Sequence, residues 1–135
     1  MRILGHGIDI ADVRRMRMLI DRFADMAIER QFTDREKDEA PSRAAWADYF
    51  AGRFAMKEAV LKALGVGFSG GVAFTDVEIL PCRGGAPRVK LSGHAGAVAA
   101  KLGIRGWRLS ISHAAGIAVA SAIAIDEDAA EGTSP

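Results

Sequence analysis

One stretch, from about Ser42 to Leu64, decides most of what this chain can fold into. Closed by Gly65, it reads as a single long helix. At about 100° per residue, Phe50, Phe54, Leu61 and Leu64 fall on a bulky apolar stripe. Gly52, Ala55, Ala59 and Ala63 form a second stripe of small residues roughly opposite. A helix striped twice is packed on both sides, so it belongs inside a layered domain. Its charges are left two narrow edges, with Arg53 and Lys57 on one and Glu58 and Lys62 on the other. Charges in such places need partners or a ligand.

The flanking segments supply the layers. Ile3 to Ile10 is short and β-like, with Ile8 and Ile10 pointing one way and Gly5, Gly7 and Asp9 the other. The isoleucine side is expected to pack and the glycine side to stay open. Asp12 is placed to cap a helix from Val13 to about Ala27, with Met16, Leu19, Ile20 and Phe23 at helical spacing and Arg14, Arg15, Arg17 and Arg22 between them. Thr33-Asp34-Arg35-Glu36 has the form of a capping box and starts a short polar helix that stops before Pro41.

Beyond the glycine-rich run 65–71 the pattern turns to strands. Phe74 to Leu80 and Arg88 to Leu91 flank a turn at 83–87 as one hairpin. Trp107 to His113 and Ile117 to Ile125 flank Ala114-Ala115-Gly116 as a second. Between them His94 to Leu102 reads as an Ala-rich helix ending at Gly103. The reading is one α+β domain over residues 1–125, a mostly antiparallel sheet with helices on one side, followed by a flexible acidic tail over 126–135.

Composition narrows the function classes. A net charge of +1 gives no ground for a nucleic-acid or membrane partner. Cys82 is the lone cysteine, which removes an intrachain disulfide and a thiolate metal cluster and makes a reducing cytoplasm the expected setting. The start lacks an apolar signal core, and the longest apolar stretch, Ala114 to Ile125, is too short to span a bilayer.

Several residues invite chemistry, each with an ordinary alternative. Asp9 ends an apolar strand, where a carboxylate suits a hard cation such as Mg²⁺, or simply caps a turn. Glu58 supplies a second carboxylate with Lys62 one turn on, or the two form a surface pair. Arg53 and Lys57 read as phosphate anchors or solvent contacts. The 65–71 loop lacks the Gly-Lys-Ser/Thr of a P-loop and leaves a helix rather than opening one. His113 shares a strand face with Leu109 and Ile111, as a core histidine would.

Three segments together resemble a known family. Gly7-Ile8-Asp9-Ile10 with Asp12 and Arg15, then the block from Phe50 to Gly65, then Leu109-Ser110-Ile111-Ser112-His113 are similar to the signatures of the holo-acyl-carrier-protein synthases. The middle block is long and specific, and the resemblance reaches from the first strand to about Ile125, including the Gly-x-Pro turn at Gly85-Ala86-Pro87. Three stretches depart from the pattern: Ile8 where threonine is common, Ala86 where lysine is frequent, and Ala114-Ala115-Gly116 where polar or acidic residues often follow the histidine.

The resemblance implies a small α+β fold, a homotrimer with coenzyme A in clefts between subunits, and transfer of 4'-phosphopantetheine to a serine of an apo-acyl carrier protein. It implies that Asp9 and Glu58 hold Mg²⁺ with the coenzyme A pyrophosphate, and that Lys62 neutralises phosphate. Arg53, Lys57, Gly65, Gly67, Pro87 and His113 are then expected toward the nucleotide, and Arg15 and Arg22 toward the carrier. The general base is left between Glu58 and a metal-bound water. A non-catalytic coenzyme A or nucleotide module, and a trimerisation domain whose helix charges pair between subunits, are the competing readings.

Overall fold

The structure is a computed structural model, and it describes residues 1–66, 71–82 and 85–128. In chain order the elements are β1 (Ile3–Asp12), α1 (Val13–Phe23), α2 (Asp25–Glu29), α3 (Asp34–Asp38), a 3-10 turn (Arg43–Ala45) and α4 (Trp46–Leu64). After a second 3-10 turn (Phe74–Asp76) come β2 (Val77–Cys82), β3 (Gly85–Leu91), α5 (Gly93–Leu102), β4 (Gly106–Ala114) and β5 (Ile117–Ile125).

The strands form two sheets where one was expected. β1, β5 and β4 make an antiparallel three-stranded sheet in that order, and β2 pairs with β3 alone. The first and last strands therefore lie side by side, with Gly7 opposite Ala122 and Asp9 opposite Ala120. The β4–β5 turn is a two-residue connection with Ala115 at φ 53° and Gly116 at φ 75°, the paired positive values that match the twist of a hairpin. Gly116 also accepts from Val13 N at 2.9 Å, which fixes the start of α1 to that turn.

The doubly striped helix is indeed central. On one side Ala55, Ala59 and Ala63 lie against β1 and β5, whose Ala118, Ala120, Ala122 and Ala124 are fully buried. On the other, Phe50, Val60, Leu61 and Leu64 join Met16, Ile20, Val77 and Ile79 in the hydrophobic core. Gly65 closes the helix at φ 74°, the left-handed conformation that favours glycine.

The faces of β1 are the reverse of those expected. Gly5 and Gly7 are the packed side: a Cβ on either would run into the carbonyl oxygen of Ala63 or Ala59 on α4. The missing side chains make room for helix backbone rather than for ligand. Ile8 and Ile10 point away and are 54% and 64% exposed.

α1 is also shorter than its apolar spacing suggests. It ends at Phe23, and Ala24 turns the chain at φ 48°, ψ −130°. The break lets Ile28 and Phe32 enter the core, 3% and 1% exposed, while Phe23 stays outside. The expected caps do form: Asp12 Oδ1 accepts from Arg14 N at 2.9 Å and Arg15 N at 3.3 Å, and Thr33 and Glu36 make the reciprocal box. No helix among the described residues is long and apolar enough to cross a membrane. Residues 129–135 of the expected tail lie outside the described residues.

Candidate active site

The alternation that seats Gly5 and Gly7 under α4 places Asp9 on the same face of β1, one strand repeat further along. There it meets α4. Lys62 Nζ donates to Asp9 Oδ1 at 2.8 Å and to the Ile8 carbonyl oxygen at 3.0 Å. Asp9 is 17% exposed and Lys62 53%, so the pair stands at the rim of the helix–sheet interface. The bond to Asp9 is the main cause holding the Lys62 ammonium above the ordinary lysine range, with burial opposing it.

Glu58 lies one turn before Lys62 on α4. Its carboxyl is held above the usual carboxylate range, first by burial and then by the Asp9 charge, while Lys62 pulls the other way. Asp9, Glu58 and Lys62 thus sense one another, and the two carboxylates have a single ammonium between them. Such a set is short of positive charge.

That shortage is the test of whether a divalent cation suits the site. Among the described residues no group of three or more His, Cys, Asp or Glu stands together, which argues against a cage made wholly by protein. Two carboxylates beside an open rim do fit Mg²⁺, which commonly takes one or two carboxylates and completes its shell with phosphate oxygens and water.

The other predicted residues are spread more widely. Arg53 lies over the Tyr49 ring at 4.6 Å, and its Nε is buried without a hydrogen-bond partner. His113 is exposed rather than a core residue, and its ring lies beside Gly52, where an added Cβ would stand 3.2 Å from Nε2. Arg53, and His113 through its contact with Gly52, therefore lie about two turns from the N-terminus of α4, upstream of the Asp9 cluster. Gly65 follows Lys62 as the helix cap, its N–H donating to the Lys62 carbonyl at 3.0 Å. Pro87 sits on β3 in the second sheet, and Arg15 and Arg22 are exposed on α1. Gly67 lies outside the described residues.

Lys57 does different work from the phosphate anchoring expected of it. It is 0% exposed, as is Glu36, and the two form an ion pair at 2.7 Å. Its Nζ also donates to Gln31 O at 2.8 Å and Phe74 O at 3.0 Å, so three oxygens occupy its three N–H groups. Burial lowers its affinity for the proton, and Glu36 opposes that. Glu36 is the residue that sequence reasoning left as a helix cap. Its available signal was a lysine on a doubly packed helix, a charge that needs partners once buried.

A cavity of about 400 Å³ lies between α1 and the start of α4, with Arg17, Asp21, Arg43 and Trp46 in its wall. None of the predicted metal or phosphate residues lines it.

With fold and site in place, comparison with known proteins becomes specific. Residues 5–118 match the profile of the 4'-phosphopantetheinyl transferase superfamily, and the chain belongs to that superfamily. Among its curated relatives it is 48% identical to the holo-[acyl-carrier-protein] synthase of Desulforudis audaxviator, over 91% of this chain and 93% of that one. It is 44% identical to the synthase of Koribacter versatilis, over 92% and 99%. Its fold is similar to the crystal structure of the Neisseria meningitidis synthase, with TM-score 0.82, 31% identity and coverage of 92% and 99%. The Helicobacter pylori synthase in complex with coenzyme A gives TM-score 0.77 at 32% identity, covering 89% and 99%.

Proposed function

We propose that this chain is a holo-acyl-carrier-protein synthase. It transfers 4'-phosphopantetheine from coenzyme A to a serine of an apo-acyl carrier protein and releases adenosine 3',5'-bisphosphate. The observation that carries the reading is the rim cluster of Asp9, Glu58 and Lys62 on a chain so similar to enzymes of that name. In the reaction the serine Oγ forms a bond to the β-phosphorus, the bridging oxygen to the α-phosphorus leaves with the nucleotide, and the hydroxyl proton passes to a base. Charge grows on phosphate oxygens, where fixed cations lower the barrier.

Asp9 and Glu58 would hold Mg²⁺, which supplies Lewis-acid stabilisation of the pyrophosphate when bound. Lys62, already oriented by Asp9 and the Ile8 carbonyl, presents its remaining N–H to phosphate oxygen. The Glu58 carboxylate, half-buried on α4 and within reach of the Asp9 charge, is the protein group placed to receive the hydroxyl proton, directly or through a water. The buried, unpartnered Nε of Arg53 and the exposed ring of His113 support a nucleotide position along the upstream part of α4.

The protein works as a homotrimer with sites between subunits. One feature supports this: the sheet face turned away from α4 leaves Ile8, Ile10 and Ile117 uncovered. Apolar area of that kind is commonly covered by another subunit. The acyl carrier protein docks on α1, where Arg14, Arg15, Arg17 and Arg22 surround exposed Met18 and Phe23. Positive charge around apolar contacts suits an acidic protein surface.

Incubation with Mg²⁺, coenzyme A and an apo carrier, followed by intact mass spectrometry, tests the reading. A carrier heavier by one phosphopantetheine supports it, and a folded protein that modifies none of several carriers contradicts it.

A further inference from the structure

The ion pair between Glu36 and Lys57 is the most heavily bonded polar feature of the described fold, yet the chemistry above makes no use of it. Glu36 Oε1 accepts from Thr33 N at 2.8 Å and pairs with Lys57, while Oε2 accepts from Ile79 N at 3.0 Å on β2. Lys57 reaches Gln31 O and Phe74 O. Two side chains thereby join α4 to four segments that meet it from different parts of the chain: residue 31, the cap of α3, Phe74 and β2. The Phe74 ring also stacks on Phe54 of α4, with centroids 5.3 Å apart and planes at 25°.

Stability alone is a poor reason for such a pair, because well-packed apolar residues often replace a buried salt bridge at no loss. What apolar residues do not supply is a fixed direction, and every atom in this network has one. Gln31 O and Phe74 O lie outside regular strand pairing, and without Lys57 both carbonyls would lack this ammonium donor. Lys57 also directly precedes Glu58 on the helix, and Lys62 follows little more than a turn later.

We propose that Glu36 and Lys57 are positioning residues for the transfer reaction: they touch no substrate, but hold Phe74 and β2 in register with the helix that presents Glu58 and Lys62. This rests on the transferase reading. The network anchors α4 at the residue directly before Glu58, so loosening it shifts the helix that carries Glu58 and Lys62 and weakens coenzyme A binding before it alters the chemical step.

The test is Glu36→Asp, which keeps the charge but shortens the reach to Ile79 N and Lys57, together with Phe54→Leu, which loosens the Phe74 contact without touching the ion pair. Coenzyme A affinity is read by calorimetry and, separately, KM and kcat by the mass assay. We expect Glu36→Asp to raise Kd and KM for coenzyme A about tenfold and Phe54→Leu about threefold, with KM for the carrier unchanged; misplacement by about 1 Å is enough for such losses. A purely structural pair would instead lower the active fraction, and with it apparent kcat, leaving both Kd and KM in place. Coenzyme A affinities within about twofold of the parent for both folded variants overturn the proposal, since geometry-dependent binding does not tolerate such loosening. If Glu36→Asp does not fold, Glu36→Gln, which keeps the side chain's length and removes its charge from Lys57, decides in its place. Calorimetry also separates the two readings: a parent that binds coenzyme A without transferring it removes the transferase assignment, while the affinity ratios still judge the pair.

Discussion

Gly7 lies directly under Ala59, so close that a Cβ on the glycine would collide with the alanine's carbonyl oxygen. The contact is backbone against backbone, and neither side can rotate out of the way. Gly7→Ala therefore forces α4 off β1, at a cost of about 3 kcal/mol, the upper part of the usual range for overpacking. Urea unfolding checks this by the shift in midpoint. Because Asp9 follows Gly7 on the same strand face, transfer activity falls as well.

That contact also shows where sequence reasoning reached its limit. The small-residue stripe of α4 was legible from helical spacing, and so were the Asp12 and Thr33 caps, the closing glycines and both hairpins, save that Phe74–Asp76 forms a 3-10 turn where strand was expected, because each is set by neighbours along the chain. Which face of β1 is buried depends on what lies across it. Two glycines on one face read equally as open space or as room for a helix, and only the partner stripe at Ala59 and Ala63 distinguishes them. Lys57 and Glu36 failed to announce each other for the same reason: their relationship is made by the fold, and Glu36 already had a sufficient local role in its capping box. Ala24 carries no sequence signal for a positive φ, so the end of α1 was not readable.

The charge shortage at the rim gives a pH-dependent prediction. Folding raises the affinity of Glu58 for a proton, so its contribution to stability is fully present below the ordinary carboxylate pKa of about 4.3. It is lost as pH rises through the folded value. Glu58→Gln should thus melt higher than the parent at pH 7.5 without metal, and the gap should close towards pH 4. Added Mg²⁺ should raise the parent's melting temperature more than the variant's. Thermal melts at the two pH values, with and without Mg²⁺, check both statements.

The carrier docking proposed for α1 predicts a change in encounter rather than in chemistry. Reversing charge at Arg15 and Arg22 should lower kcat/KM for the carrier roughly tenfold at low ionic strength and less at high salt, as expected when complementary charge steers association. KM for coenzyme A should not move. Steady-state kinetics across a salt series supply the measurement.

Asp12 offers a purely structural control. Its carboxylate accepts from Arg14 N and Arg15 N at the start of α1, and Asp12→Ala should cost about 1 kcal/mol, the usual worth of an N-cap. A shift in urea midpoint of that size, with transfer largely kept, would separate loss of a cap from loss of the site three residues earlier.

The central claim is that Asp9, Glu58 and Lys62 form the phosphoryl-transfer site, and intact-mass analysis of an apo carrier tests it most directly. The parent, with Mg²⁺ and coenzyme A, should convert the carrier to a form heavier by one phosphopantetheine. Asp9→Ala, Glu58→Ala and Lys62→Ala, each shown to be folded, should each lose at least about 100-fold in rate, the scale of removing one stabiliser of transition-state charge. Full activity in the folded Asp9 and Glu58 variants, or no transfer by the parent to any carrier, would contradict the account.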